Sequence, residues 1–174
     1  MKEYGFVLKF SLPDSEADPE IFLDKLGMAG CDDALVGIGL NGRIALDFTR
    51  KSSSAPEAFL SAVKDVKRAI PSARLIEAAP DMVGLTDIAD ILGFTRQNMR
   101  KLMLKNQDFP PPFHDGKPSI WHLAKILLWL KSKNLYPIEE SLLDIATVNM
   151  QFNIARDMQD IEPAFQSNIQ TLLT

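Results

Sequence analysis

Residues 94–133 carry eight Lys or Arg side chains against only Asp108 and Asp115, a net charge of +6 inside a 174-residue chain whose net charge is −4. Six polar residues fall within seven consecutive positions of that block: Thr95, Arg96, Gln97, Asn98, Arg100 and Lys101. These types suit nucleic-acid recognition. Arginine pairs with the guanine edge and glutamine or asparagine with the adenine edge. Lysine and arginine also meet phosphates, with release of counterions. Lys105, His114 and Lys117 extend the set, and Lys125, Lys131 and Lys133 are further phosphate candidates. An acidic chain with one basic block points that block at something.

Bond-making chemistry has little to work with. The two histidines, His114 and His122, lie near each other in sequence and far from the single cysteine, Cys31. They form no metal or nucleophile set. One cysteine excludes an internal disulfide framework and a multi-cysteine zinc site. Gly37 and Gly39 lack the third glycine and the following helix of a dinucleotide site. Asp32 and Asp33 read as a loop pair. Neither a catalytic role nor a cofactor is expected.

The recognition residues need a rigid support, and Leu85 to Leu104 supplies its pattern. Thr86 is placed to cap a first helix, with Asp87 and Asp90 near its positive end. Ile88, Ala89 and Leu92 form the inner face. Gly93 ends the helix in the left-handed conformation, and Phe94 plugs the corner. Thr95 caps a second helix with Met99, Leu102 and Met103 inward. Gln97 and Lys101 then point outward, Arg100 and Asn98 flank them, and Leu104 lies toward the outer side. Small Ala89 lets the helices approach. This is the pattern of a helix-turn-helix. Arg96 sits in the first turn, where the helix dipole disfavours a cation by ~0.3–1 kcal/mol unless a phosphate is near.

The run G-F-T-R-Q-N-M-R-K, then F-P-P-P-F, an Asp-Gly turn and S-I-W-H-L-A-K-I-L-L-W-L resembles the winged helix-turn-helix of MerR- and AlpA-type DNA-binding proteins. The resemblance covers about residues 84–131. Trp121 and Trp129 match the two tryptophans at the end of the wing and in the following helix. It implies sequence-specific binding of double-stranded DNA, with the second helix in the major groove and the wing on the backbone or in the minor groove. The wing here carries His114 and Lys117 but no arginine.

Residues 1–80 alternate strand and helix signals. Phe6, Leu8 and Phe10 mark a strand with one apolar face. A loop is expected over residues 13–18. Pro19 opens a helix carrying Phe22 and Leu26, ended by Gly27 and Gly30. Leu35 to Leu40 and Arg43 to Phe48 flank Asn41-Gly42, which predicts a two-residue hairpin turn. Phe59, Val63, Val66 and Ile70 predict a helix ended by Pro71, and Arg74 to Ala78 a last strand. The order β-α-β-β-α-β is ferredoxin-like. The aromatic residues Phe6, Phe10 and Phe48 read as core, not as stacking platforms for bases. Pro80-Asp81 reads as a linker.

The expected class is therefore α+β, in three segments: a ferredoxin-like domain over residues 1–80, a winged helix-turn-helix over 81–135 and a helical tail over 136–174. Their net charges are −2, +3 and −5. In the tail, Ile138, Leu142, Ile145, Asn149 and Phe152 alternate steps of four and three, a seam for another helix. A second copy of the chain would fill it and make a homodimer; the alternative is packing back on the winged domain. Pro163 interrupts the tail before Phe165, Ile169, Leu172 and Leu173. No apolar run approaches the ~18 residues of a membrane span, and no export signal is read at the start, so a cytoplasmic protein is expected. The leading function is a DNA-binding transcriptional regulator. The alternatives are an antitoxin-type autorepressor that also grips a toxin, and an RNA- or protein-interaction module.

Overall fold

The computed structural model describes residues 1–14 and 17–173. Among them the chain is mixed α+β, with one four-stranded antiparallel sheet, a two-stranded ribbon and seven α-helices. The expected loop over residues 13–18 falls partly outside the described residues.

β1 (Lys2–Ser11) lies at the centre, hydrogen-bonded to β3 (Arg43–Ser52) and β4 (Arg74–Ala79), while β2 (Ala34–Gly37) pairs with the far side of β3. Alternation places Tyr4, Phe6, Leu8 and Phe10 of β1 with Ile44, Leu46 and Phe48 of β3 on one buried face. Phe6 and Phe48 sit opposite each other in register and stack at 5.3 Å. All three strand aromatics expected in the core are there.

α2 (Ala55–Ala69) starts at Ser54, whose hydroxyl accepts the Glu57 N–H at 3.3 Å. It buries Ala58, Phe59, Ala62 and Val66 beneath the sheet. α1 (Leu23–Met28) is only six residues long and follows a 3-10 turn over Pro19–Phe22. It packs on α2 and covers no strand extensively. The sheet face beneath β1 and β4 therefore needs another cover. α6 (Glu140–Asp157), from the C-terminal segment, provides it by lying against β1, β4 and α2.

That corrects the reading of the tail seam. Ile145 is buried in the sheet's own core, and Phe152 meets Phe59 at 5.4 Å. Ile138 and Leu142 pack against a second apolar cluster built on α5 (Leu123–Ser132). Asn149 is fully buried and donates to the Pro80 carbonyl at 3.2 Å. The seam packs on the chain itself, against both clusters, with Ile145 and Asn149 buried and Ile138, Leu142 and Phe152 half-buried. A helix shared between two cores is apolar on two sides, so a single stripe is a poor guide to what it faces.

Asp81 is likewise not an exposed linker residue. It is 2% exposed and accepts from Asn153 Nδ2 through Oδ2 at 2.8 Å, while Oδ1 lies 2.8 Å from His122 Nδ1. Its carbonyl accepts the Leu123 N–H at 2.7 Å. Asn153 also accepts the Ala78 N–H and donates to the Ala78 carbonyl, at 3.1 and 2.8 Å.

The hairpin differs too. β2 stops at Gly37, and five residues separate it from β3. The Asn41-Gly42 turn itself is closed by the Arg43 N–H on the Leu40 carbonyl at 3.2 Å, but strand pairing does not reach it; Gly42 takes positive φ, at 71°, and its N–H and carbonyl bond Ala17 and Leu12. On β3, Arg50 is buried and bonds both carboxylate oxygens of Asp33 (2.7 and 2.9 Å), with Asp65 at 2.8 Å. Asp33 is thus a structural partner. Cys31 is buried beside this cluster, and burial pushes its thiol up to about 11, with the Asp65 carboxylate adding to the shift.

Two outcomes follow from this packing. Asn153→Ala leaves buried groups of Ala78 and Asp81 without partners, and lowers the unfolding free energy in a urea titration by ~2–4 kcal/mol; a loss below ~0.5 kcal/mol contradicts the account. Cys31 in the folded protein resists thiol reagents at neutral pH and reacts fully only in denaturant; rapid labelling of the native chain contradicts its placement.

Candidate nucleic-acid interface

α3 (Leu85–Ile91) begins directly after the ribbon strand β5 (Met82–Val83). Its cap is Gly84, not Thr86: the Asp87 carboxylate reaches back to accept the Gly84 N–H at 2.8 Å. Pairing of Val83 with Trp121 ends the strand there, so the helix starts two residues earlier than the Thr86 cap predicts. Ile88 and Ala89 are buried. At the corner Gly93 takes φ 70°, and the Phe94 N–H bonds the Ala89 carbonyl at 2.7 Å. A β-carbon disfavours this backbone region, so glycine suits the position.

Thr95 then caps α4 (Arg96–Lys105), its Oγ1 accepting the Asn98 N–H at 3.1 Å. Met99 is buried, and Leu102 and Met103 are half-buried on the second cluster. With that side inward, Arg96, Gln97, Asn98, Arg100, Lys101 and Lys105 are exposed, as is Thr95. Leu104 is exposed as well. Among the described residues, none of the cations Arg96, Arg100, Lys101 and Lys105 is in an ion pair, whereas Lys2, Lys9, Arg50, Arg68, Lys133 and Arg156 each meet a carboxylate.

The segment after α4 is held by aromatic residues. Phe109 lies edge-on to both Trp121 and Trp129, at 6.1 and 5.1 Å. Trp121 Nε1 donates to the Pro110 carbonyl at 3.0 Å and Trp129 Nε1 to Asp108 at 3.2 Å. Lys133 and Trp129 together hold the Asp108 carboxyl below its ordinary range. Lys133 is therefore engaged by Asp108, which leaves it a poorer phosphate candidate than the unpaired cations of α4.

The chain then turns back. His114 and Ile120 exchange backbone hydrogen bonds at 3.2 and 2.9 Å, and β6 (Trp121–His122) pairs antiparallel with β5. Residues 115–119 form the tip, where the Ser119 hydroxyl donates to the Gly116 carbonyl at 3.1 Å. His114 and Lys117 are exposed here, and no ion pair forms at Lys117 among the described residues.

α3, α4 and the tip enclose one open groove of about 520 Å³. Of the residues singled out from the sequence, Arg96, Arg100 and Lys117 line it together. Thr86, Gly116 and Ser119 line it too, and sequence reasoning did not assign them to the site. The one acid in the lining, Asp87, already accepts the Gly84 N–H. Gln97, Asn98, Lys101 and Lys105 share the exposed side of α4 but do not line the groove, nor does His114. His122 is not a surface ligand: it is buried on Asp81. The groove therefore combines the cations Arg96, Arg100 and Lys117 with the hydroxyl residues Thr86 and Ser119, side-chain types that bind phosphate.

No helix among the described residues is long and apolar enough to cross a membrane. No family model matches the chain, and neither a curated protein nor a solved structure matches it.

Proposed function

We propose that the chain is a sequence-specific DNA-binding transcriptional regulator. In this reading, residues 84–131 act as a winged helix-turn-helix and residues 1–80 form a ferredoxin-like scaffold. The observation that carries the proposal is the convergence of Arg96, Arg100 and Lys117, from a helix and a hairpin tip, on one groove with no competing carboxylate free. α4 is ten residues long with an exposed row of Arg, Gln, Asn and Lys, the form and chemistry of a helix that enters a major groove. Arg96 and Lys117 meet phosphates on either side, while Arg100 and Gln97 read base edges.

Three supports are independent of the resemblance. The inner side of α4 is fixed by Met99 in a packed core, so the outer side is presented rigidly. The exposed cations of this surface lack carboxylate partners, which keeps their full charge available. The net negative N-terminal and C-terminal segments leave this middle block as the positive surface of the chain.

Selection of bound duplexes from a random pool enriches one motif. Arg100→Ala and Gln97→Ala each relax the preference at one base pair, with a loss of ~1–3 kcal/mol of discrimination. Both residues are exposed, so the fold survives. An unchanged motif and affinity in both variants removes α4 from the reading role.

Arg96, Lys101, Lys105 and Lys117, all unpaired among the described residues, set the salt dependence. If all four reach phosphates, log K falls against log salt with a slope of roughly −3 to −4. Lys117→Ala makes the slope shallower by about 1 and leaves the preferred sequence unchanged. A slope near zero in the parent protein contradicts the reading.

A further inference from the structure

The C-terminal helix α7 (Pro163–Leu173) has no buried residue. Phe165, Ile169, Leu172 and Leu173 recur at i, i+4, i+7 and i+8, which places them on one side. Phe165 is 60% exposed and Leu172 84%. An apolar helix side of this kind is stable in water only when something covers it.

The same chain offers a cover. α2 and α6 leave between them a groove of about 460 Å³ with Phe59, Val63, Leu75 and Phe152 among its apolar lining. Its cationic residues are Lys67, Arg74 and Arg156, and no acid and no residue of α7 lines it. The charge of the segment leading into α7 is opposite to that of the groove. α7 itself carries no charged side chain, and Asp160 and Glu162 lead into it. Arg156 is paired with Asp157 of its own chain, but among the described residues Lys67 and Arg74 are in no ion pair.

We propose that α7 docks its Phe165–Ile169–Leu172 side into the α2–α6 groove of a second copy of this chain, and that the exchange is reciprocal and makes a homodimer. The occupant is a second copy and not the chain's own α7 because of the connection. Gln159 already lines the groove, and α7 starts four residues later. Ile161 is extended, at φ −90° and ψ 131°, so the chain leaves the groove there. No glycine follows Gly116 in the sequence, and a tight reversal after Gln159 would have to be made without one. Reciprocal exchange is a two-fold arrangement, so each copy supplies one helix and one groove. This inference goes beyond the DNA reading and stands without it. If both hold, the dimer carries two α4 helices to two half-sites.

The test is mass in solution by light scattering, with no DNA present. The full chain at about 20 µM gives twice the mass of one chain. The double variant Phe165→Asp with Leu172→Asp gives the single-chain mass with an unchanged circular dichroism spectrum, since both side chains are exposed in one copy. Equimolar Leu60→Cys and Phe165→Cys proteins, mixed and oxidised, give a mixed disulfide dimer, because Leu60 is an exposed residue of the groove. Cys31 is buried and does not compete. A monomeric parent chain overturns the proposal, as does a dimer that persists in the double variant. Closure of a disulfide within one chain carrying both cysteines, without dimer, also overturns it.

Discussion

The Asp81 carboxylate is the joint of the molecule. It lies where the sheet ends and the ribbon begins, out of reach of water. A buried carboxylate costs several kcal/mol unless every lone pair finds a partner. Here one oxygen meets His122 at the base of the hairpin and the other meets Asn153 of α6, which in turn satisfies both backbone groups of Ala78 on β4. Three regions far apart in sequence thus share one set of hydrogen bonds. None can shift without leaving a buried polar group unpaired, so the ribbon and α6 are locked to the sheet.

The rest of the architecture follows from that joint. Because α1 is short, the sheet needs α6 as its second cover, and Asn153 fixes where α6 lies. α6 then supports α5 from its other side through Leu143 and Ala146. α5 carries Trp129, and with Trp121 it holds Phe109 and hence the path from α4 to the hairpin tip. Two apolar clusters joined through one helix leave α4 attached by its inner side only. Its outer side stays open. Elsewhere some of the cations are spent in ion pairs, such as Lys2–Glu140 and Arg50–Asp33. On α4 and the tip they are not.

The sequence made some of this legible and hid the rest for physical reasons. Local chemistry was readable: Gly93 needs a left-handed backbone, Thr95 caps the next residue's helix, and Met99 marks the inner side. The β-α-β-β-α-β order was readable because period-two and helical patterns alternate cleanly. The cap at Gly84 was not, since Asp87 acts through a reversed hydrogen bond and leaves Thr86 free. The Asn41-Gly42 turn was readable, but the end of β2 at Gly37 was not, because the segment after it bonds through Gly42 to Leu12 and Ala17, which no local rule foresees. Asn149 and Asn153 sit about seventy residues from the groups they bond, so Asn149 in the seam gave no sign of its partner on Pro80, and Asn153 was not singled out at all. Sequence periodicity tells that a helix side is covered; it does not tell by what.

We propose that α4 and the hairpin tip form the DNA-binding surface. The most direct measurement is backbone amide NMR of the full chain titrated with the duplex that selection enriches. Binding through this surface gives the largest shift changes at residues 95–101 and 115–119, with β2 and the exposed side of the sheet unaffected. Changes concentrated on the sheet, with α4 silent, would contradict it.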